Sequence, residues 1–297
     1  MEMENRKGLY ADLSLFLVAI IWGSGFVVTK TVLDVMTPFY IMGFRFIIAA
    51  IALTLFSIKR LKKATKLDIK AGLVVGIFMF LGFAFQTVGL KYTTAGVQAF
   101  ITASNVVMVP FMYWILSKKK PNNYELFGAV LCFVGIGILS LDNNLNIGIG
   151  EFLTLVCAFA YGLQIVAVGH FAKDVDPFVF STIQLYFAAI LSFIMAFLFE
   201  PKIVTFTTDM ILPIVYLAIF SSMICFLVQN IAQRHTSSTH AAIIMSLEAV
   251  FGSIFAIVLL NDPVNVKLII GCGAILMAII SSETKFQFLR VKRRTLE

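Results

Sequence analysis

The amino-acid sequence predicts an all-α integral membrane protein, with ten transmembrane helices arranged as two inverted five-helix repeats. Three observations lead to this fold: an apolar composition, ten apolar runs of membrane-crossing length, and a similarity between the two halves of the chain. Of the 297 residues, 60% are hydrophobic and 13% are charged, and the mean hydropathy is +0.96. A soluble domain has about one half apolar and about a quarter charged residues. A bilayer accommodates this excess of apolar surface.

Ten apolar runs are long enough for a helix to cross a bilayer. About 20 apolar residues are needed to span a hydrocarbon core about 30 Å thick. Turn-forming pairs such as Asp176-Pro177 and Asp262-Pro263 separate the runs. Because the runs are continuously apolar and lack the alternation of barrel strands, helices are the expected form. The predicted spans are 13–33, 37–58, 67–90, 94–117, 124–141, 149–172, 177–199, 210–232, 237–260 and 264–282.

Lys and Arg residues are distributed unevenly between the two sets of segments that connect the spans. Of the 23 residues of these types, 18 fall in one set together with both termini, and four fall in the opposite set. Because cytoplasmic segments carry an excess of Lys and Arg, both termini are expected in the cytoplasm. We expect a multi-pass protein of the cell (plasma) membrane of a prokaryote. The net charge of +7 is spread over short loops and a tail, so nucleic acid is not an expected partner.

The two halves of the chain align at a nearly constant offset. Gln86 corresponds to Gln229 at an offset of 143 residues, and Trp22 corresponds to Tyr161 at an offset of 139. Each half has five spans, an odd number, so the second half enters the membrane from the other side. Inverted repeats of this kind are typical of secondary transporters, which bind substrate near the midplane. The predicted domains are a first repeat over 1–142, a second, inverted repeat over 143–284 and a basic cytoplasmic tail over 285–297.

Four short motifs follow one another along the chain. They are IWGSGF at 21–26, FRF at 44–46, LKYTTAG at 90–96 and SLEAVF at 246–251. In this order and spacing they resemble the EamA-type ten-helix transporters of the drug/metabolite transporter (DMT) superfamily, over nearly the whole chain. The resemblance implies export of amino acids, related metabolites or amphipathic drugs. The chain departs from the family pattern at Ala249, where the family often has Pro.

Two ionisable side chains, Arg45 and Glu248, lie deep inside predicted spans. Each costs about 2.5–3.5 kcal/mol on insertion scales, so each is a functional candidate. At about 1.5 Å per residue, Glu248 and its repeat mate Asn105 lie roughly 16 Å from the face at which their spans begin. Trp22 and Tyr161 come out at a similar depth. A carboxylate binds an ammonium and ring faces attract cations, so this set suits a cationic or zwitterionic ligand.

Polar side chains recur at helical spacing on the fourth and sixth spans. Gln98, Thr102 and Asn105 share one face of the fourth span, and Tyr161 and Gln164 share one face of the sixth. Such faces favour a polar cavity over lipid, although polar groups also bond across helices as structural contacts. The predicted substrate-binding residues are Trp22, Gln98, Thr102, Asn105, Tyr161, Gln164 and Glu248, and Glu248 is also the candidate for proton coupling.

Three further polar positions inside the spans are open to more than one interpretation. Three roles are open to Arg45: to bind a substrate carboxylate, to pair with Glu248, or to donate hydrogen bonds to loop carbonyls. A structural role is favoured over substrate binding because aromatic residues flank Arg45. Gln86 and Gln229 are candidate gate residues, with helix-end capping as the alternative. The three histidines lack the spacing of a metal site, so no metal is expected.

These features favour a secondary active transporter that exports small amino acids or related zwitterionic or cationic metabolites by alternating access, with proton coupling left open. The alternatives are a multidrug efflux carrier for amphipathic cations and a membrane sensor or receptor without transport. An enzyme is not expected, because the clustered acid, base or metal groups of an active site are missing. No cofactor is expected either. The expected partners are a small-molecule substrate and the lipid bilayer, with the protein a monomer or homodimer.

Overall fold

The computed structural model describes residues 2–118, 120, 122–140, 147–201 and 207–284, in which the elements are thirteen α-helices and one π-helix. In lipid, a helix satisfies each main-chain polar group within its own segment. The α-helices are α1 Glu2–Val32, α2 Pro38–Leu61, α3 Lys66–Gly89, α4 Ala95–Ala103, α5 Asn105–Ser117, α6 Asn123–Ser140, α7 Ile149–Phe171, α8 Pro177–Phe199, α9 Thr208–Tyr216, α10 Cys225–Ala232, α11 Ser238–Ser246, α12 Glu248–Leu260 and α13 Val266–Thr284, and the π-helix is Leu217–Ile224.

Ten segments of the described chain are suited to the membrane. Eight are long and apolar enough to cross it, and two shorter apolar helices, Leu126–Leu139 and Val266–Ser281, complete the set. The predicted all-α fold is confirmed. The fourth, eighth and ninth spans each consist of more than one helix, which their continuous apolarity did not indicate. The predicted domain boundary at 142 and the tail 285–297 lie outside the described residues, so the domain limits stay a prediction.

Local sequence signals explain where several segments begin. Pro38 and Pro177 occupy the first turns of α2 and α8, where the missing N–H would have no partner within the helix. The side chains of Thr94 and Ser237 cap the N-termini of α4 and α11, because each accepts a hydrogen bond from the main-chain N–H three residues later. These two caps are 143 residues apart, so equivalent helices of the two halves begin in the same way.

The helix bounds recur between the two halves. Helices α4 and α11 have 9 residues each and α5 and α12 have 13 each, and both pairs are offset by 143 residues. Lys118 and Asn261, at the same offset, end α5 and α12 in the left-handed conformation, with φ of 59° and 54°. Because each half contributes five crossing segments, the second half crosses in the opposite sense. The two halves are therefore inverted repeats.

Two crossing segments are interrupted near their middle at equivalent positions. Ser104 separates α4 from α5, and Leu247 separates α11 from α12. In both interruptions an N–H donates to the Ser104 or Leu247 carbonyl three residues earlier, over 3.1 Å and 3.0 Å. A tightened turn of this kind within a helix often marks a functional position. The interruptions make Asn105 and Glu248 the first residues of α5 and α12.

Helix α1 packs on α12, α10 and α11, whereas α6 packs mainly on α13. Helices α1 and α12 approach closely at Gly23 and Gly252. A Cβ atom at Gly23 would lie 2.7 Å from Phe251 Cβ and 2.8 Å from the Gly252 nitrogen. Small residues let membrane helices pack this closely. The crossing places the main chain of Glu248 against the turn of α1 that carries Trp22.

We expect Gly23→Ala to lower the free energy of unfolding by about 1–3 kcal/mol, because the added methyl group meets main-chain atoms that cannot move alone. Thermal unfolding of the purified protein in detergent measures the effect. Gly273→Ala is the matched control, since a Cβ atom there has nothing within 4 Å. Equal melting temperatures for the two variants would contradict the close crossing of α1 and α12.

Candidate functional site

A cavity of about 670 Å³, including its mouth, lies between the two halves of the bundle. Its lining combines apolar side chains with a few polar and charged groups, which is the usual composition of a small-molecule site. Thr102, one of the ten predicted site residues, is 1% exposed and is not brought to the cavity. The other nine line it: Trp22, Arg45, Gln86, Gln98, Asn105, Tyr161, Gln164, Gln229 and Glu248.

The Glu248 carboxyl lines the cavity from the first turn of α12 and is 8% exposed. No other residue described by the structure forms a hydrogen bond or ion pair with this carboxyl. The repeat mate Asn105, 6% exposed, likewise has no hydrogen-bond partner for its side chain among these residues. The main-chain interruptions at Ser104 and Leu247 direct this matched pair of polar groups to the same cavity. Their bonding capacity is therefore available to a ligand.

The two aromatic side chains predicted at the midplane both make hydrogen bonds across helices. Trp22 Nε1 donates to the Ser221 carbonyl over 2.9 Å, and the Tyr161 hydroxyl donates to Gln86 Oε1 over 3.1 Å. Gly82 makes room for Tyr161, because a Cβ atom there would overlap the ring. These bonds hold the orientation of both rings, so each presents a defined surface to the cavity.

Arg45 is 2% exposed and lines the cavity from α2. Its Nε donates to Ser222 Oγ over 3.0 Å and its Nη2 to Ser221 Oγ over 3.1 Å. The guanidinium also lies over the Phe83 ring, 4.6 Å from the centroid. Within the described residues no carboxylate pairs with Arg45, so the predicted alternative of an ion pair with Glu248 is not found. Two hydroxyl groups and a ring face solvate this cation in place of a carboxylate.

Four glutamine side chains connect the helices around the cavity. Gln164 and Gln229 exchange two hydrogen bonds of 3.3 Å, and Gln98 Nε2 donates to the Gln86 carbonyl over 2.7 Å. The side chains of Gln86 and Gln229 therefore bond to residues of α7, and neither caps its own helix end. Gln98 Oε1 is buried without a hydrogen-bond partner in the described chain. It is a further free acceptor beside the cavity.

Sequence reasoning missed several lining residues, among them Phe83, Ser221 and Phe226. A signal for Ser221 was present, because the Ser221-Ser222 pair interrupts an apolar run. Phe83 and Phe226 gave no signal among the 30 phenylalanines. Their rings lie 5.9 Å apart, and the Phe226 ring lies 5.4 Å from the Trp22 ring. The three rings form an aromatic wall.

The structure offers no group of three or more His, Cys, Asp or Glu side chains for a metal ion within the residues it describes. His240 lies 3.2 Å from Asp12, where α11 meets α1. The four cysteines are buried and unpaired. The cavity lining supplies one carboxyl, one guanidinium, neutral amides, hydroxyl groups and aromatic rings. This set is suited to binding.

Comparison with known proteins identifies the family of this chain. Residues 9–141 and 148–282 each match the EamA-like transporter family. An uncharacterized transporter of Archaeoglobus fulgidus is 39% identical over 277 residues, which cover 93% of this chain and 87% of the relative. A chloroplastic WAT1-related protein of Arabidopsis thaliana is 24% identical over 276 residues, covering 87% of this chain and 66% of that protein.

A solved crystal structure shares the fold. It superposes with a TM-score of 0.71 at 18% identity and covers 94% of this chain and 98% of the other. The likeness covers nearly all of both chains, so the two proteins share one fold.

Proposed function

The chain belongs to the EamA-like transporter family, and from that membership we propose that it is a secondary transporter that exports small zwitterionic or cationic metabolites, such as amino acids, by alternating access. One observation carries the proposal: Glu248 and Arg45 line the same buried cavity without pairing with each other. The cavity thus holds one acidic and one basic group, each available to a ligand group of opposite charge.

An unpaired charge inside a membrane protein costs several kcal/mol after relaxation. A zwitterion offsets this cost at both ends, because its ammonium pairs with Glu248 and its carboxylate with Arg45. Gln98 Oε1 and the Asn105 amide add acceptors for the ammonium. The aromatic wall of Trp22, Phe83 and Phe226 contacts the apolar part of the substrate. An apolar cavity with a few placed polar groups is the usual form of a small-molecule site.

The glutamine contacts support a role for Gln86 and Gln229 as gates. These repeat mates lie three residues before the ends of α3 and α10. Both bond to α7, Gln86 to Tyr161 and Gln229 to Gln164, which lies one turn further along. A movement of α7 relative to α3 and α10 therefore changes both contacts. This geometry supports alternating access, in which one end of the cavity opens as the other closes.

The proposed orientation in the membrane rests on the charge distribution. The excess of Lys and Arg supports two cytoplasmic termini in a cell membrane, with the Gln164–Gln229 contact on the cytoplasmic side of the cavity. Proton antiport through Glu248 is part of the proposal, because a carboxyl that lacks a protein partner can exchange a proton against the substrate.

The second candidate is an efflux carrier for amphipathic cations. The aromatic wall and the unpaired Glu248 favour it, since both attract a cation. Arg45 opposes it, because a buried guanidinium repels a cation in the same cavity. The two candidates therefore differ in whether a carboxylate on the ligand strengthens binding.

We expect an amino acid that is a substrate to raise the melting temperature of the purified protein, and its decarboxylated amine to raise it much less. Flux of the labelled compounds in proteoliposomes then separates a transporter from a sensor, since a sensor binds its ligand without flux. Stronger stabilisation by the amines would favour the cation carrier. Binding without flux under an imposed gradient would overturn the transport proposal.

A further inference from the structure

The eighth crossing segment changes helix type beside the cavity. The π-helix Leu217–Ile224 lies between α9 and α10. At its end, the Cys225 N–H donates to the carbonyls of Phe220 and Ser222, five and three residues earlier. In an α-helix the same N–H would donate to the Ser221 carbonyl, four residues earlier. π-Helical turns are rare and are frequently found at functional sites.

Side chains from two neighbouring helices bind the π-helix at one point. The indole N–H of Trp22 on α1 donates to the Ser221 carbonyl over 2.9 Å, the acceptor that an α-helical Cys225 N–H would use. Arg45 on α2 donates to the hydroxyls of Ser221 and Ser222. All three bonds are made by residues that line the cavity or lie next to it. The π-helix is therefore held to the cavity wall by three hydrogen bonds.

The segment that follows the π-helix carries the Gln229 side of the Gln164–Gln229 contact. A π-helix closes its bonds over five residues and an α-helix over four. Conversion of the π-helix to an α-helix shifts the phase of α10 by one residue, which is about 100° of rotation. Gln229 is 0% exposed and Gln164 is 2% exposed, so their contact is fully enclosed. A rotation of this size removes Gln229 from Gln164.

We propose that Arg45, Ser221 and Ser222 are positioning residues that keep the π-helix in place and thereby keep the Gln164–Gln229 contact closed. When the guanidinium releases the two hydroxyls, the segment becomes α-helical, α10 rotates and this end of the cavity opens. In the transport cycle a substrate carboxylate that binds Arg45 supplies the release. That last link rests on the proposed function, whereas the test of the π-helix requires no substrate.

The test measures the distance between the two gate positions. Gln164→Cys and Gln229→Cys are introduced together after Cys132, Cys157, Cys225 and Cys272 are replaced by Ala, and a short bifunctional thiol reagent crosslinks the pair in detergent. We expect Ser221→Ala with Ser222→Ala to slow crosslinking by about tenfold, since each hydroxyl bonds a charged group. Labelling of Gln229→Cys alone by a maleimide is expected to accelerate by a similar factor. Unchanged rates in a folded variant would overturn the proposal.

Two further variants separate positioning from general stability. Ser221→Thr with Ser222→Thr retains both hydroxyls and is expected to restore fast crosslinking. Ser192→Ala is the matched control, because this buried hydroxyl bonds only to the carbonyl of Ala188 on its own helix in the structure. Slow crosslinking in the control, or failure of the Thr variant to restore the rate, would contradict a specific role. If the double Ala variant does not fold, Ser222→Ala alone is used, and it is expected to slow crosslinking by a smaller factor.

Discussion

Glu248→Gln is expected to lower the affinity for a zwitterionic substrate by about a hundredfold and to abolish proton-coupled transport, while the fold stays intact. Glutamine retains the size of the side chain and loses its charge, so the substrate ammonium is left without a counter-ion. Loss of one partner of an enclosed charge pair costs about 2–5 kcal/mol. The fold is expected to remain, because no described residue bonds to the Glu248 carboxyl.

Substrate flux into proteoliposomes, measured with and without a pH gradient, tests this expectation. Asp209→Asn is the matched control, because Asp209 is an exposed carboxylate outside the cavity and its loss is expected to leave flux unchanged. The melting temperature of each variant shows whether the fold survives. Flux in Glu248→Gln that still follows the pH gradient would exclude a proton role for Glu248. An unchanged substrate affinity would remove Glu248 from the binding site.

Arg45→Gln is expected to remove the preference for an amino acid over its decarboxylated amine. The variant loses the cation that pairs with the substrate carboxylate, so amino-acid affinity falls by about a hundredfold. The amine is expected to bind more tightly than in the natural protein, because a repelling charge is gone. The ratio of the two dissociation constants is the measured quantity, and it is insensitive to a uniform loss of active protein.

Arg45→Lys sharpens the same experiment. Lysine keeps the positive charge but cannot make the planar, two-sided contact of a guanidinium with a carboxylate. We expect it to retain part of the preference for the amino acid. If Arg45→Gln and Arg45→Lys both bind the amino acid as the natural protein does, Arg45 is a structural residue and the zwitterion proposal loses its basic group.

The sequence by itself determined the number of crossing segments, the inverted repeat and nine of the residues that line the cavity. Lipid imposes a minimum length and a continuous apolarity on each crossing helix, so the spans can be predicted from the sequence. The same cost makes each buried polar residue informative, because it must face a partner or a cavity. This is why Glu248, Arg45 and the glutamines stand out in the sequence, and in the structure they line the cavity.

Tertiary structure alone decided how those residues are phased and paired. Thr102 shares a helical face with Asn105 in the sequence, but the tightened turn at Ser104 alters the phase between them, and only Asn105 reaches the cavity. The π-helix lies where Trp22 and Arg45 bind the Ser221-Ser222 pair of the eighth span. When a helix is apolar on every side, its sequence does not indicate which face points toward the cavity. Contacts with neighbouring helices determine that orientation.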